Sequence, residues 1–192
     1  MTDREICITS SAEDDYLKLV ESIRKNMDAS RNTVLIVDDE KGIRSKIARD
    51  VKNFDPSIDI FEATNGAEAL ETLEIIRQKH VRDPLFIVLD LNMPIMDGWE
   101  VINRLKKEYE NKDQDAGIPI IVLSSTSGEK NSLLSKKSIH EGKSGYTPLI
   151  SIAKETCIDK SHYDSVGEQG LLAWLHFFLK EKKYSLKKNI IR

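Results

Sequence analysis

Apolar residues along this chain recur with two spacings. Four short runs are dominated by consecutive apolar positions: TVLIV (33–37), IDIFEA (58–63), LFIVL (85–89) and IPIIVL (118–123). They are rich in β-branched residues, the pattern of parallel strands covered by helices on both faces. Between them the spacing changes to three and four. Ile43, Ile47 and Val51 share one helical face, GAEALETLEII (66–76) follows the second strand, and Val101, Ile102 and Leu105 mark a third helix. LISIA (149–153) reads as a fifth strand. GLLAWLHFFLKEKK (170–183) reads as a last helix, apolar on one side and closed by lysines that suit a helix C-terminus. Strand and helix alternate, so the prediction is an α/β protein with a doubly wound, five-stranded parallel sheet and helices on both faces.

Two segments fall outside this alternation. Residues 1–31 form an N-terminal extension with one amphipathic helix, on which Tyr16, Leu19, Val20, Ile23 and Met27 share a face and Ser11 with Asp14 can cap the start. Residues 184–192 form a basic C-terminal tail. At 192 residues the chain holds one ordinary domain with appendages. A net charge of -3 with 32% charged residues argues against a nucleic-acid-binding surface as the main function. Cys7 and Cys157 are far apart and lack metal-ligand spacing, which points to a reduced compartment. The first residues lack an apolar signal core and no run is long enough to span a bilayer, so no membrane association is expected and the protein is expected to be cytoplasmic.

The chemistry gathers where strands end. In doubly wound sheets ligands bind at the carboxyl ends of the strands, where the chain order reverses. Asp38, Asp39 and Glu40 follow the first strand, Asp90 the third, and Ser124, Ser125 and Thr126 the fourth. Three aspartates and a hydroxyl therefore converge on one edge. Each pair of carboxylates at about 4 Å and an effective dielectric near 20 costs about 4 kcal/mol, so a cation or a retained proton is needed. Oxygen-only ligands with room for water suit Mg²⁺ better than zinc. A lone Asp after a strand is ordinarily a helix N-cap, but three at converging strand ends are not explained that way.

VLIVDDE, ATNGAEAL, LDLNMPIMDGWEV and PIIVLSS, in this order, closely resemble the receiver domain of two-component response regulators. The resemblance covers roughly residues 32–183, and the D-x-x-M-P-x-M-D-G segment from Asp90 to Gly98 is its most specific part. It implies the flavodoxin-like strand order 2-1-3-4-5 and a signalling domain rather than an enzyme. Asp90 would be the phosphoacceptor, taking a phosphoryl group from phosphohistidine or a small donor. Asp38 and Asp39 would hold Mg²⁺ together with Asp90 and the backbone carbonyl of Asn92. Ser124 matches the hydroxyl that moves to the phosphoryl group on activation. Met93, Pro94 and Gly98 resemble the turn and start of the third helix, with Asp97 as its N-cap. The implied partners are a sensor histidine kinase or histidine phosphotransfer protein and a downstream protein, with the chain monomeric or dimerising on phosphorylation.

Rival readings fit less well. A phosphatase of the haloacid-dehalogenase type needs a second Asp two residues after the nucleophile, where Asn92 stands. A dinucleotide-binding fold needs G-x-G-x-x-G after the first strand, where VDDEKG stands. A degenerate receiver acting as a phosphorylation-independent interaction module is the alternative within the family.

The resemblance weakens near the fifth strand, which in receivers ends in a lysine. EGKSGY (141–146) resembles the approach to that strand, with Tyr146 at an aromatic switch position, and ungapped continuation puts Leu149 in the lysine's place. A longer loop instead makes PLISIAK the strand, with Lys154 at its end, Ser151 at the switch position and Glu155 where proline is usual. Pro148 suits the first position of a strand and the following residues have strand character, which favours Lys154. Lys143 is a further candidate. The stretches 108–119, 124–154 and 155–169 are also longer than in typical receivers, and the specificity of this protein is expected there.

Overall fold

The computed structural model describes residues 17, 21, 23, 30–114, 117–124, 145, 146, 148–154 and 171–190. Five strands are observed: β1 (Thr33–Val37), β2 (Asp59–Ala63), β3 (Phe86–Asp90), β4 (Ile120–Ser124) and β5 (Leu149–Ala153). The helices are α1 (Lys41–Phe54), α2 (Gly66–His80), α3 (Gly98–Glu110) and α4 (Leu171–Ile190). All strand pairs are parallel, in the order β2-β1-β3-β4-β5. This is the predicted fold, and all its strands end on one edge.

The near-continuous apolar strands have a direct cause. Side chains alternate between faces along a strand, and here both faces are covered. Val34, Ile36, Phe86, Val88, Ile121 and Leu123 pack toward α1 and α4, in a core that includes Ile47, Val51, Trp174 and Phe178. The intervening Leu35, Val37, Ile87, Leu89, Ile120 and Val122 pack toward α2 and α3, against Leu73, Ile76, Ile102 and Leu105. β2 lies at an edge and exposes Asp59 and Glu62, charges that discourage pairing with another strand.

Boundaries depart from the sequence pattern in instructive ways. β3 and β4 begin later than their apolar runs and include Asp90 and Ser124, so both residues belong to the strands. α4 does not close at its lysines near 183. It runs to Ile190, so residues 184–190 continue the helix rather than forming a separate tail. No glycine or proline interrupts KKYSLKKNI, and lysine and leucine are good helix formers. Ile23 is helical and fully buried in the core with α1 and α4, so the N-terminal segment contributes to the domain's packing. The remainder of the predicted helix face (Tyr16, Leu19, Val20 and Met27) and its cap at Ser11 and Asp14 lie outside the described residues.

β5 resolves the two alignments. Leu149 pairs with Ile120 at the start of the strand and Ala153 pairs with Ser124 at its end, so Lys154 follows the strand directly. Pro148 precedes it, and its carbonyl accepts from Ile120 N at 3.0 Å. Tyr146 stands before the strand rather than in it, buried, with its hydroxyl donating to Ile118 O at 2.7 Å.

Candidate functional site

Each acidic residue is set by a strand and fixed by its own backbone. Asp38 extends the pairing of β1, its N–H donating to Ala63 O at 3.2 Å, and Glu40 N donates back to Asp38 Oδ1 at 2.8 Å. The chain then turns into α1. Asp90 is the last residue of β3, and Asn92 N approaches its Oδ1 at 3.4 Å. Asp38 is 0% and Asp90 1% exposed, whereas Asp39 is exposed to solvent.

The loop after Asp90 is tightly folded. Met96 N donates to Pro94 O at 2.8 Å across Ile95, whose φ of 70° marks a strained γ-turn for a β-branched residue. Gly98 then starts α3 against the backbone of Asp90: a Cβ there would meet the Asp90 carbonyl oxygen inside contact distance. Asp97 caps the helix, accepting from Glu100 N at 2.8 Å, as its place before Gly98 predicts.

Lys154 completes the cluster. Its Nζ lies 2.9 Å from Asp90 Oδ2, 3.0 Å from Asp38 Oδ2 and 2.9 Å from Glu40 Oε1. The residue is 7% exposed, so it is not a solvated strand end. Burial works against its charge, but the hydrogen bonds to Glu40, Asp90 and Asp38 outweigh it and hold its pKa above the ordinary lysine range. Burial pushes both Asp38 and Asp90 above the usual carboxylate range, opposed by Lys154 in each case and, for Asp38, by the Glu40 N–H.

One ammonium does not balance these charges. Carboxylate oxygens of Asp38, Asp39 and Asp90 lie within 4.8 Å of one another. At that range and an effective dielectric near 20, each ionised pair costs roughly 3–4 kcal/mol. Asp38 Oδ2 is also buried without a hydrogen-bond partner among the described residues, despite the nearby Lys154 Nζ. The donors are all oxygen, and exposed Asp39 leaves a side open to water. The set fits a hard, oxygen-seeking dication such as Mg²⁺.

The other predicted residues are placed as follows. Ser124 ends β4 one step beyond Leu123, which pairs with Asp90, so its backbone reaches the same edge. Asn92 follows Asp90 by two residues and is exposed. Ser125, Thr126 and Lys143 lie outside the described residues. Arg44 carries no role in the sequence pattern but belongs to this edge. Its Nη1 donates to Asp38 O at 2.8 Å and Asp39 O at 3.3 Å, while its Nε pairs with Glu62 at 3.0 Å. The available signal was a charge beside Ile43 on the buried stripe of α1.

Residues 34–145 match the family model described as the response regulator receiver domain. The chain belongs to that family. The match ends before β5, so strand pairing rather than the family pattern locates Lys154 in this receiver. Among its relatives is the nitrate/nitrite response regulator protein NarL of Escherichia coli, 29% identical over 140 residues, covering 72% of this chain and 57% of NarL. Another is a protein-glutamate methylesterase/protein-glutamine glutaminase of Carboxydothermus hydrogenoformans, 35% identical over 97 residues, half of this chain and 24% of that protein. The receiver thus spans about a quarter of the length of the methylesterase relatives it matches. A solved receiver domain of the Francisella response regulator 1452 superposes with a TM-score of 0.50 at 24% identity, covering 81% of this chain and 99% of the other, a likeness of fold alone. Among the described residues, no helix is long and apolar enough to cross a membrane.

Proposed function

We infer that this receiver takes a phosphoryl group onto Asp90 and passes the change to another protein. The observation that carries the reading is the buried contact of Lys154 Nζ with Asp90 Oδ2, at 2.9 Å, within a cluster of further carboxylates. A carboxylate attacks a phosphoryl group poorly unless charge is neutralised and the groups are aligned. Lys154 supplies tethered positive charge at the attacking residue. Asp38, Asp39, Asp90 and the Asn92 carbonyl would hold Mg²⁺, which when bound supplies further charge neutralisation at the phosphoryl oxygens.

In the transfer an oxygen of Asp90 bonds to phosphorus as the P–N bond to the donor histidine breaks. The imidazole leaves with that electron pair and takes a proton, and Asp90 is left as a mixed anhydride. Lys154 then has a phosphoryl oxygen to contact in place of a carboxylate oxygen. The Ser124 hydroxyl, at the end of β4, is the donor we assign to follow the new charge and move its loop. The donor would be a sensor histidine kinase or a histidine phosphotransfer protein, the output a protein contact, and the setting the cytoplasm.

Incubation with Mg²⁺ and acetyl phosphate, followed by intact-mass measurement, tests this. The expected result is a gain of one phosphoryl group that is absent in Asp90→Asn and without Mg²⁺. No gain under saturating donor would leave an interaction module that works without phosphorylation.

A further inference from the structure

The strands that carry the acidic cluster have a second end, with the opposite chemistry. Where β1 and β3 begin, roughly 17 Å from the cluster along five-residue strands, Arg31, Asn32, Thr33, His80, Arg82 and Asp83 line a cavity of about 240 Å³. Among the described residues, two guanidinium groups and an imidazole share this wall with one carboxylate, and that carboxylate is already engaged. Asp83 Oδ1 accepts from Arg77 Nε at 2.7 Å and its Oδ2 accepts from the Tyr109 hydroxyl at 2.9 Å. Asn32 is committed as well, its Oδ1 accepting from Lys182 Nζ and its Nδ2 donating to Ser57 O.

Two buried nitrogens are left over. Arg31 Nη1 donates to Pro84 O at 3.4 Å, which anchors the guanidinium, but Arg31 Nε has no hydrogen-bond partner among the described residues. His80, packed edge-on against Phe61, likewise has a buried Nε2 with no partner. A guanidinium N–H can only donate, and a buried donor left unpaired is costly. The wall therefore carries positive charge, and Arg31 Nε is a buried donor that nothing among the described residues meets.

We propose that this cavity binds a small oxyanion, a phosphate or a carboxylate. Arginine matches such groups through charge-assisted hydrogen bonds. The volume is below the roughly 300–1,000 Å³ of sites that enclose drug-sized ligands, so the occupant is smaller than a nucleotide. The site lies at the amino ends of the strands, away from the edge where a doubly wound sheet ordinarily holds its ligand. It is independent of the role inferred for Asp90.

Titration of the full chain with inorganic phosphate, without divalent cation and followed by amide NMR shifts, tests the proposal. Without a cation the acidic cluster repels phosphate, and Asp90→Asn should leave the titration unchanged. Saturable shifts are expected at residues 30–33 and 80–83 and at the His80 ring, half-maximal at about 1 mM or below. Arg31→Ala should weaken binding at least tenfold. Arg31→Lys keeps the charge but removes Nε, and should weaken binding too; it carries the test if the alanine variant does not fold. A parallel acetate titration distinguishes the sources: tighter phosphate assigns a phosphate site, tighter acetate a carboxylate site. Shifts that do not saturate by about 50 mM with either anion, or an affinity unchanged in both Arg31 variants, overturn the proposal.

Discussion

β1 and β3 begin and end in charged clusters that are balanced in different ways. At the amino ends, Arg77 ties the Asp83 carboxylate into the fold, with Glu74, Glu108 and Tyr109 close by. Both oxygens of Asp83 there accept hydrogen bonds, from Arg77 and from Tyr109. At the carboxyl ends, Asp38, Asp90 and Glu40 share the Lys154 ammonium, Asp39 lies beside the two aspartates, and Asp38 and Asp90 are almost fully buried. Charge balance does not close among the described residues. A fold tolerates such a deficit where an exchangeable cation or a transferred group belongs, so the imbalance distinguishes the acidic end more sharply than the mere presence of charged residues.

Removing the ammonium should break that contrast most strongly. Lys154→Ala leaves buried carboxylates uncompensated, a change that costs about 3–5 kcal/mol when one partner of a buried pair is lost. Urea unfolding without divalent cation should show this loss, and saturating Mg²⁺ should restore more stability to the variant than it adds to the wild type. Equal Mg²⁺ effects on the two proteins would mean that Lys154 and the cation do not share the same charge.

A steric change at the acidic end should come next. Gly98→Ala places a Cβ against the backbone oxygen of Asp90, and overpacking of this kind costs about 1–3 kcal/mol. The loss should appear in urea unfolding with or without Mg²⁺, since its cause is contact rather than charge. A loss that disappears with Mg²⁺ would contradict the steric origin.

The smallest effect should come from the amino ends. Lys182, buried on α4, joins Asn32 at the start of β1 to Asp55 after α1, with Nζ 3.4 Å from Asp55 Oδ2. Burial pushes the Asp55 carboxyl up, but hydrogen bonds from Ser57 and the charge of Lys182 outweigh it and hold its pKa below the ordinary value. A lowered folded-state pKa stabilises fully above the unfolded value of about 3.9, and that stability is lost as pH falls through the folded value. Asp55→Asn should therefore cost about 1 kcal/mol at pH 7. The gap to the wild type should narrow as pH falls below about 4. A gap that stays constant would assign the effect to packing.

Much of the acidic end is legible in the chain because it is built from short segments. Asp38 and Asp39 directly follow a strand, and the Asp90-to-Gly98 segment contains the strand-end aspartate, the turn, the cap and the helix start in order. Lys154 was harder to place. Its segment supports two alignments in the chain, and only the pairing of Leu149 with Ile120 through Ala153 with Ser124 chooses between them. Arg44 was missed because a charge on an apolar helical stripe has no meaning until Asp38, Asp39 and Glu62 are brought beside it. The wall around Arg31 and His80 was missed for the same reason, since it joins the approach to β1 with the end of α2 and the loop into β3.

The sequence by itself determined the alternation of strands and helices, the two-sided burial of the sheet and the acidic strand ends, because each depends on periodicity or on neighbouring residues. Only the tertiary structure decided that Lys154 reaches Asp90, that Arg44 holds the backbone beneath the acidic pair, and that cationic residues gather at the other end. Those contacts join side chains from different elements, many of them far apart in the chain. They exist only once parallel pairing and two-sided packing bring the ends of these elements together.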